Sequence, residues 1–378
     1  MTDLAPMQVF RDIAVVPVSA ASRHIAHGGP IWPDFDQQIA ARHCRDTRPA
    51  DACPATPATM QTLDEPAVWG GFLDRQFGHL IIEQMTRLPQ SLRDRPDDLY
   101  LFTLPVGQTE AGVPGWVWQA LNWYGLRRDR VRLVDKALSV GELRVAAQGE
   151  MMGKQVTEAA YLDLLDANMA QRALVAQPAA VVFVTRAGLV AGGQGGHAGE
   201  AYLAQVLTRA GVRVIDPARH AIAEQLAVYA GARVLVFSEG SALHGRMLLG
   251  RLAQDIHVLR RRPHRDIGAE QLAPRCRELR YHATAGRRLG ARMPGGGDRW
   301  DLMPAFYDLE VVFDLFGGLG HDLRMPWDDA DYRDAVQRDL HGWLETCRTS
   351  KDQLLTNLKL IADAGYVVEA PRPPAALP

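Results

Sequence analysis

Two short stretches of this chain combine residue types that could move a proton and hold an anion. In the first, Gly78 and His79 open an apolar segment, with Asp74 just before them and Glu83 one turn after. A histidine at a helix start is poorly placed for core packing and well placed to face a cleft. The helix end disfavours a positive ring there, and a neutral imidazole is what a general base needs. Asp74 and Glu83 are the substitutes for that role. The second stretch is Ser238-Glu239-Gly240-Ser241-Ala242-Leu243-His244, directly after the apolar, β-branched run from Val234 to Phe237. A buried strand there passes into helical spacing over 241–252, so the first amides of the helix point out of a sheet edge as a ready anion site. Gly240 permits close approach, Glu239 can accept from hydroxyl groups, and His244 lies one turn further on.

The elements that must position these stretches follow from periodicity. Residues 1–70 are loop-rich, with Ala14 to Val18 reading as an edge strand. Leu80, Ile81, Met85 and Leu88 recur at helical spacing. Strands are expected at 99–104, 131–134 and 143–146, an aromatic-rich helix at 116–124 and an amphipathic helix at 157–174. Trp116, Trp118 and Trp123 have the spacing of core residues rather than of a stacking platform. A second alternation begins at 180. It comprises a strand over 181–186 ending in Arg186, the glycine-rich loop 192–197, a helix over 199–210, and a strand over 212–215. A helix over 222–230 bearing Glu224 and Gln225 follows, then the 234–237 strand and a strand over 256–259. This order is that of a doubly wound parallel sheet. A basic connection over 264–300 leads to helices at 330–346 and 350–364.

At 378 residues the chain exceeds one comfortable core, and two domains are the natural expectation. A net charge of -2 argues against a duplex nucleic-acid partner. The basic run Arg260-Arg261-Arg262, with His264 and Arg265, reads as a solvated loop. No apolar run approaches the roughly 18 residues of a membrane span, and the start lacks a basic-then-apolar pattern, so the cytoplasm is the expected location. Cys44, Cys53, Cys276 and Cys347 lack CxxC spacing, and His24, His27, Asp34, Asp36 and His43 lack metal-ligand spacing. No metal and no cofactor are expected. Gly193 to Ala198 has the spacing of a dinucleotide fingerprint but stands several residues after its strand, which argues against NAD. That loop reads as a lid or a surface loop.

Taken in order, Gly78-His79 at the start of an apolar helix, a strand ending Thr185-Arg186, Glu224-Gln225 on a helix, and the Gly240-Ser241-Ala242-Leu243-His244 turn resemble a family 61 glycosyltransferase of the bacterial capsular-polysaccharide type, over roughly residues 65–260. The resemblance implies an α/β fold of two Rossmann-like domains facing across a cleft (GT-B-like), with an α-helical C-terminal extension. The boundaries would be 1–174 for the acceptor side, 175–265 for the nucleotide-sugar side and 266–378 for the linker and extension. It implies inverting, metal-independent transfer of a sugar from a nucleotide-diphosphate donor, a UDP-sugar first, to a glycan acceptor in surface or capsular polysaccharide. Arg186, Ser241, His244 and the amides of Gly240, Ser241 and Ala242 would hold the leaving diphosphate, with Ser238, Glu239, Glu224 and Gln225 completing the donor site and His79 as base. A homodimer and peripheral association with a membrane assembly complex are the further partner expectations. Pyruvyl transfer on the same frame, or a non-catalytic nucleotide-sugar-binding partner, is the alternative reading.

Overall fold

The structure, a computed structural model, describes residues 4–22, 25–73, 75–153, 155–263, 265–293, 296–347 and 349–368. Its first half is built on an eight-stranded mixed sheet. The strands are β1 (Gln8–Ser22), β2 (Ile25–Pro30), β5 (Asp51–Ala52), β6 (Gln61–Leu63), β7 (Ala67–Phe72), β8 (Leu99–Thr103), β9 (Val131–Val134) and β10 (Leu138–Val145). A small hairpin, β3 (Cys44–Arg45) with β4 (Arg48–Pro49), stands beside them. The order is β5-β2-β1-β10-β7-β8-β9, with β6 also on β10. The edge-strand expectation for 14–18 is corrected here. β1 is an interior strand bonded to β2 on one side and β10 on the other, and neighbours Val15 and Val16 are both buried although they point to opposite faces.

The second half carries five parallel strands: β11 (Ala179–Val184), β12 (Arg213–Ile215), β13 (Ala232–Ser238), β14 (Asp255–Leu259) and β15 (Glu278–His282), in the order β12-β11-β13-β14-β15. β15 lies beyond residue 265, so this sheet runs past the expected boundary. The chain steps from β11 outward to β12 and then returns to the other side of β11 as β13. The carboxyl ends of β11 and β13 therefore flank a topological switch point, where an open parallel sheet leaves a crevice.

Between the sheets lie α1 (Phe77–His79), α2 (Leu88–Asp94), α3 (Gly115–Trp123), α4 (Ala159–Arg172) and α6 (Ile222–Gly231). Strand alternation explains the layering. Tyr100, Phe102, Val182, Val184, Leu235 and Phe237 point into one continuous central core. Leu101 faces the outer core of the first sheet, and Val181, Phe183, Val234 and Val236 face that of the second. α5 (Glu200–Arg209), α8 (Leu309–Gly318), α9 (Asp329–Thr346) and α10 (Lys351–Asp363) cover that last face, and the short α7 (Ala269–Leu272) packs on the 241–248 turn. A strand pair, β16 (Ala285–Arg288) with β17 (Ala305–Tyr307), joins them to the second sheet. Among the described residues no helix is long and apolar enough to cross a membrane.

Two local expectations differ from what folds. The segment after His79 is not one α-helix: α1 passes into a π turn at Leu80–Gln84, a 3-10 turn at Met85–Arg87 and then α2. The segment after β13 is a 3-10 helix, Ser241–Leu248, not an α-helix to 252. All of Leu243 to Leu248 are buried there, so tertiary packing selects the tighter winding.

Candidate functional site

A cavity of about 440 Å³ opens at the switch point. Its floor is the carboxyl edge of the second sheet: Thr185, Arg186 and Ala187 after β11, Asp216 to Ala218 after β12, and Ser241 and Ala242 after β13. Phe77 and Trp116 close it from the first half. The Arg186 guanidinium lies directly over Gly240, where any Cβ would overlap it. It donates through Nη2 to the Gly195 carbonyl at 3.3 Å, its Nε has no partner, and it forms no ion pair with any described carboxylate. Burial pushes its pKa below the usual arginine value, with Glu200 opposing. The opening amides of the Ser241–Leu248 helix have no intrahelical acceptor by its geometry, because Leu243 N–H is the first to bond back, to Gly240 O at 3.2 Å. A guanidinium with no carboxylate in ion-pair contact among the described residues, beside such amides, is an arrangement suited to an anion.

The proton-handling group stands beside this turn. A Cβ at Gly78 would lie 2.8 Å from Cδ2 of His244 and 3.6 Å from Cβ of Ser241, so α1 is packed directly on the anion turn. His79, the next residue, is part-exposed, and its Nδ1 lies 3.2 Å from Oε2 of the fully buried Glu83. Glu83 also receives Nε of Arg45 at 2.7 Å and Nη2 of Arg45 at 2.8 Å. Burial alone would raise the Glu83 pKa, but the bonds from His79 and Arg45 outweigh it and hold the pKa at about 2. An ionised carboxylate only accepts and a guanidinium only donates, and Nδ1 also lies 3.3 Å from Nη2 of Arg45, so the ring's tautomer follows from which of these two neighbours Nδ1 bonds. His244 is buried with no partner at Nδ1, and burial, then His79, lowers its pKa to about 4, so it is neutral.

Residues 77–253 match the family model described as Glycosyltransferase 61. The match supports a glycosyltransferase, and it covers just under half of the chain. No curated protein matches the chain.

The matched segment begins at the cavity residue Phe77 and includes His79, Glu83, Trp116, Arg186 and the 241–244 turn. Of the expected site residues, Arg186, Gln225, Ser241 and Ala242 line the cavity, whereas His79, Gly240 and His244 stand behind its lining. Asp74 lies outside the described residues. Glu83 is not a free base but the partner of His79. Ser238 is fully buried and donates to Glu200 Oε2 at 2.7 Å. Glu239 is also fully buried and accepts from the amides of Arg261 and Arg262 and from Nε of Arg262 at 2.5 Å, so its oxygens are already occupied. Glu224 is exposed and caps α6 through the Ala221 amide at 3.0 Å. Gln225 lines the cavity while its amide holds the carbonyls of Pro217 and His220, both at 2.9 Å.

Four contributors were not assigned to the site from the sequence. Arg45 comes from the β3–β4 hairpin, in the stretch expected to be loop-rich that instead supplies β1 to β7. Glu200, at the start of α5, receives Thr185 Oγ1 at 2.8 Å, Tyr307 OH at 3.2 Å, Ser238 and the Arg186 amide, and so ties the ends of β11 and β13 together. Arg262 is not solvated: it is the counter-ion of Glu239, and its neighbour Arg261 is buried. Trp116 is half-buried, packs against the central core and also forms a cavity wall, whereas Trp123 is fully part of the core as expected. The 192–197 loop packs inward on Arg261 and the 301–303 backbone. Of the residues considered as metal ligands, His43 is buried beside Glu83, Asp36 pairs with Arg42, and His24 lies outside the described residues.

Proposed function

We propose that the chain is an inverting, metal-independent glycosyltransferase of GT-B type, acting on a nucleoside-diphosphate sugar, UDP-linked first, and a glycan acceptor of surface or capsular polysaccharide in the cytoplasm. Residues 1–174 form the acceptor side, and 175–265 form the donor side with β15 completing its sheet. The remainder is the extension. The observation that carries the reading is the guanidinium of Arg186, with no carboxylate in ion-pair contact among the described residues, lying over Gly240 at the switch point between β11 and β13.

The chemistry has two needs. Negative charge develops on the leaving diphosphate and must meet donors fixed in advance. Arg186 and the amides of Gly240, Ser241 and Ala242 supply them, with the Ser241 hydroxyl. The acceptor hydroxyl must also lose its proton as it attacks. With Nδ1 bonded to Glu83, Nε2 of His79 takes it, and Glu83, ionised at any working pH, stabilises the imidazolium through Nδ1–H. The acceptor oxygen bonds to the anomeric carbon from the face opposite the diphosphate, and the sugar–phosphate C–O bond breaks with its electron pair going to the phosphate oxygen. Configuration inverts.

The test is transfer by the purified chain from a panel of nucleotide sugars with and without chelator, reading product configuration by NMR. Arg186→Ala should lose about a hundredfold in turnover while remaining folded. Full turnover in that variant, or retention of configuration, refutes the assignment.

A further inference from the structure

Of the three tryptophans on α3, the fold accounts for two. Trp123 is buried and donates its indole N–H to the Leu248 carbonyl at 2.9 Å. Trp118 lies under the Arg128 guanidinium, 4.6 Å from the ring centroid, and Glu110 holds that arginine in turn. Trp116 is different. It is half-buried, lines the cavity, meets Phe77 edge-on at 5.3 Å, and its indole N–H has no acceptor among the described residues. An aromatic face and an unused N–H donor left at a cavity wall fit a ligand that is flat and polar-edged.

The arrangement of strands says which part of a ligand that is. The carboxyl ends of β12, β11 and β13 lie side by side, so the cavity spans two strand spacings, roughly 10 Å. Its middle is the Arg186–Gly240 crevice. On the β13 side the Ser241 turn packs on Gly78 and His244, with His79 next in the chain, and the proposed reading puts the group being transferred at that end. That leaves the β12 side for the other end of the donor. Its lining there is Asp216, Pro217, Ala218, His220 and Ile222. α3 reaches this end through Gln119, whose Oε1 accepts the Ile222 amide at 2.9 Å and clips α3 to the start of α6, and Trp116 stands one turn before Gln119 on the same helix.

We infer that Trp116 is the stacking platform for the nucleobase of the donor, contributed by the acceptor-side half to a nucleotide otherwise held by the second sheet. The inference rests on the glycosyltransferase reading above and deepens it. Because Trp123 and Gln119 tie α3 to the second half at two points, the platform is in place before the nucleotide arrives and needs no ordering on binding.

Titration calorimetry with UDP, CDP, GDP, ADP and inorganic pyrophosphate tests this. The parent chain should bind at least one nucleoside diphosphate more tightly than pyrophosphate. Trp116→Leu should lose about tenfold to a hundredfold for that nucleotide, the range of one base–aromatic stack, with pyrophosphate unchanged within about twofold. Arg186→Ala should weaken both. In Trp116→Phe, which keeps an aromatic face and the packing, nucleotide affinity should hold within about threefold while nucleotide-induced quenching of tryptophan fluorescence disappears. The inference is overturned if Trp116→Leu weakens neither ligand or both equally, if quenching persists in Trp116→Phe, or if the loss appears only in the KM for acceptor. A parent chain that binds no nucleoside diphosphate overturns the glycosyltransferase reading itself, an outcome told apart because Arg186→Ala then changes nothing.

Discussion

Gly240→Ala is the sharpest perturbation of the anion site. The backbone at Gly240 is extended, with φ 171, so an alanine there introduces no backbone strain. Its methyl would overlap Nη1 and Cζ of Arg186, and even Nε would stand only 2.5 Å away. Ordinary non-bonded contact needs about 3.5 Å, so the guanidinium must move by roughly 1 Å or more. The colliding atoms are the end of a flexible side chain with one 3.3 Å hydrogen bond to a carbonyl, and that end can give way. Stability should therefore change little, while the donor that meets the leaving diphosphate is misplaced. A 1 Å error at such a group costs on the order of a hundredfold, about 3 kcal/mol of barrier. Steady-state kinetics of Gly240→Ala, Arg186→Ala and the double variant give the assay, with Tm as control. The two single losses should be similar, and the double variant should lose no more than either, because both remove one interaction. An unchanged kcat in Gly240→Ala, or losses that add, would refute the placement of Arg186 as the diphosphate donor.

Other outcomes follow from the proton-handling group and the buried histidines. His79→Ala should reduce kcat by about a hundredfold or more with a much smaller effect on donor affinity, measured by turnover and titration. Glu83→Gln should reduce turnover and also lower stability by about 2–3 kcal/mol in urea unfolding, since it removes a buried charge that both His79 and Arg45 contact. Its folded pKa of about 2 is below the ordinary 4.5, so its stabilisation is complete above pH 4.5 and is lost as pH falls towards 2, a limb that Glu83→Gln should erase. Burial first, in each case, lowers His43 and His244 to about 4 and His197 to about 3. The unfolded chain takes up these protons near 6.5, so urea midpoints should be flat above pH 6.5 and fall between 6.5 and about 3; a midpoint constant over that range contradicts the neutral burial of these rings. Gly78→Ala brings a methyl within 2.8 Å of the buried His244 ring and should cost about 1–3 kcal/mol, with most of the loss relieved in Gly78→Ala/His244→Ala.

The local elements were legible because their causes are local. Short apolar, β-branched runs mark β8, β9, β11, β13 and β14, and helical spacing marks α3 to α6 and the two long helices at the end. The same local reading isolated Arg186 at a strand end and the Gly240–His244 turn, because a strand passing into a helix exposes its first amides wherever it occurs. It went astray where packing overrides periodicity. The 241–248 segment winds as a 3-10 helix under burial, the segment after His79 takes a π turn, and 14–18 is enclosed on both edges by strands whose pairing no local pattern encodes.

The chemistry of the site depends on contacts between distant residues. Arg45 reaches Glu83 across 38 positions from a hairpin of no recognisable pattern, and Tyr307 reaches Glu200 across 107. Glu239 and Ser238 have the composition of ligand-binding residues, yet strand order buries both and supplies them with internal partners. Trp116 has the spacing of core and becomes a cavity wall because α3 begins beside a crevice created by the return of the chain from β12 to β13. Period, capping and turn chemistry are properties of neighbours along the chain, so sequence alone determined them. Which carboxylate is free, which histidine has a partner and which aromatic face is left open depend on what lies opposite in space, and only the closed tertiary structure decided those.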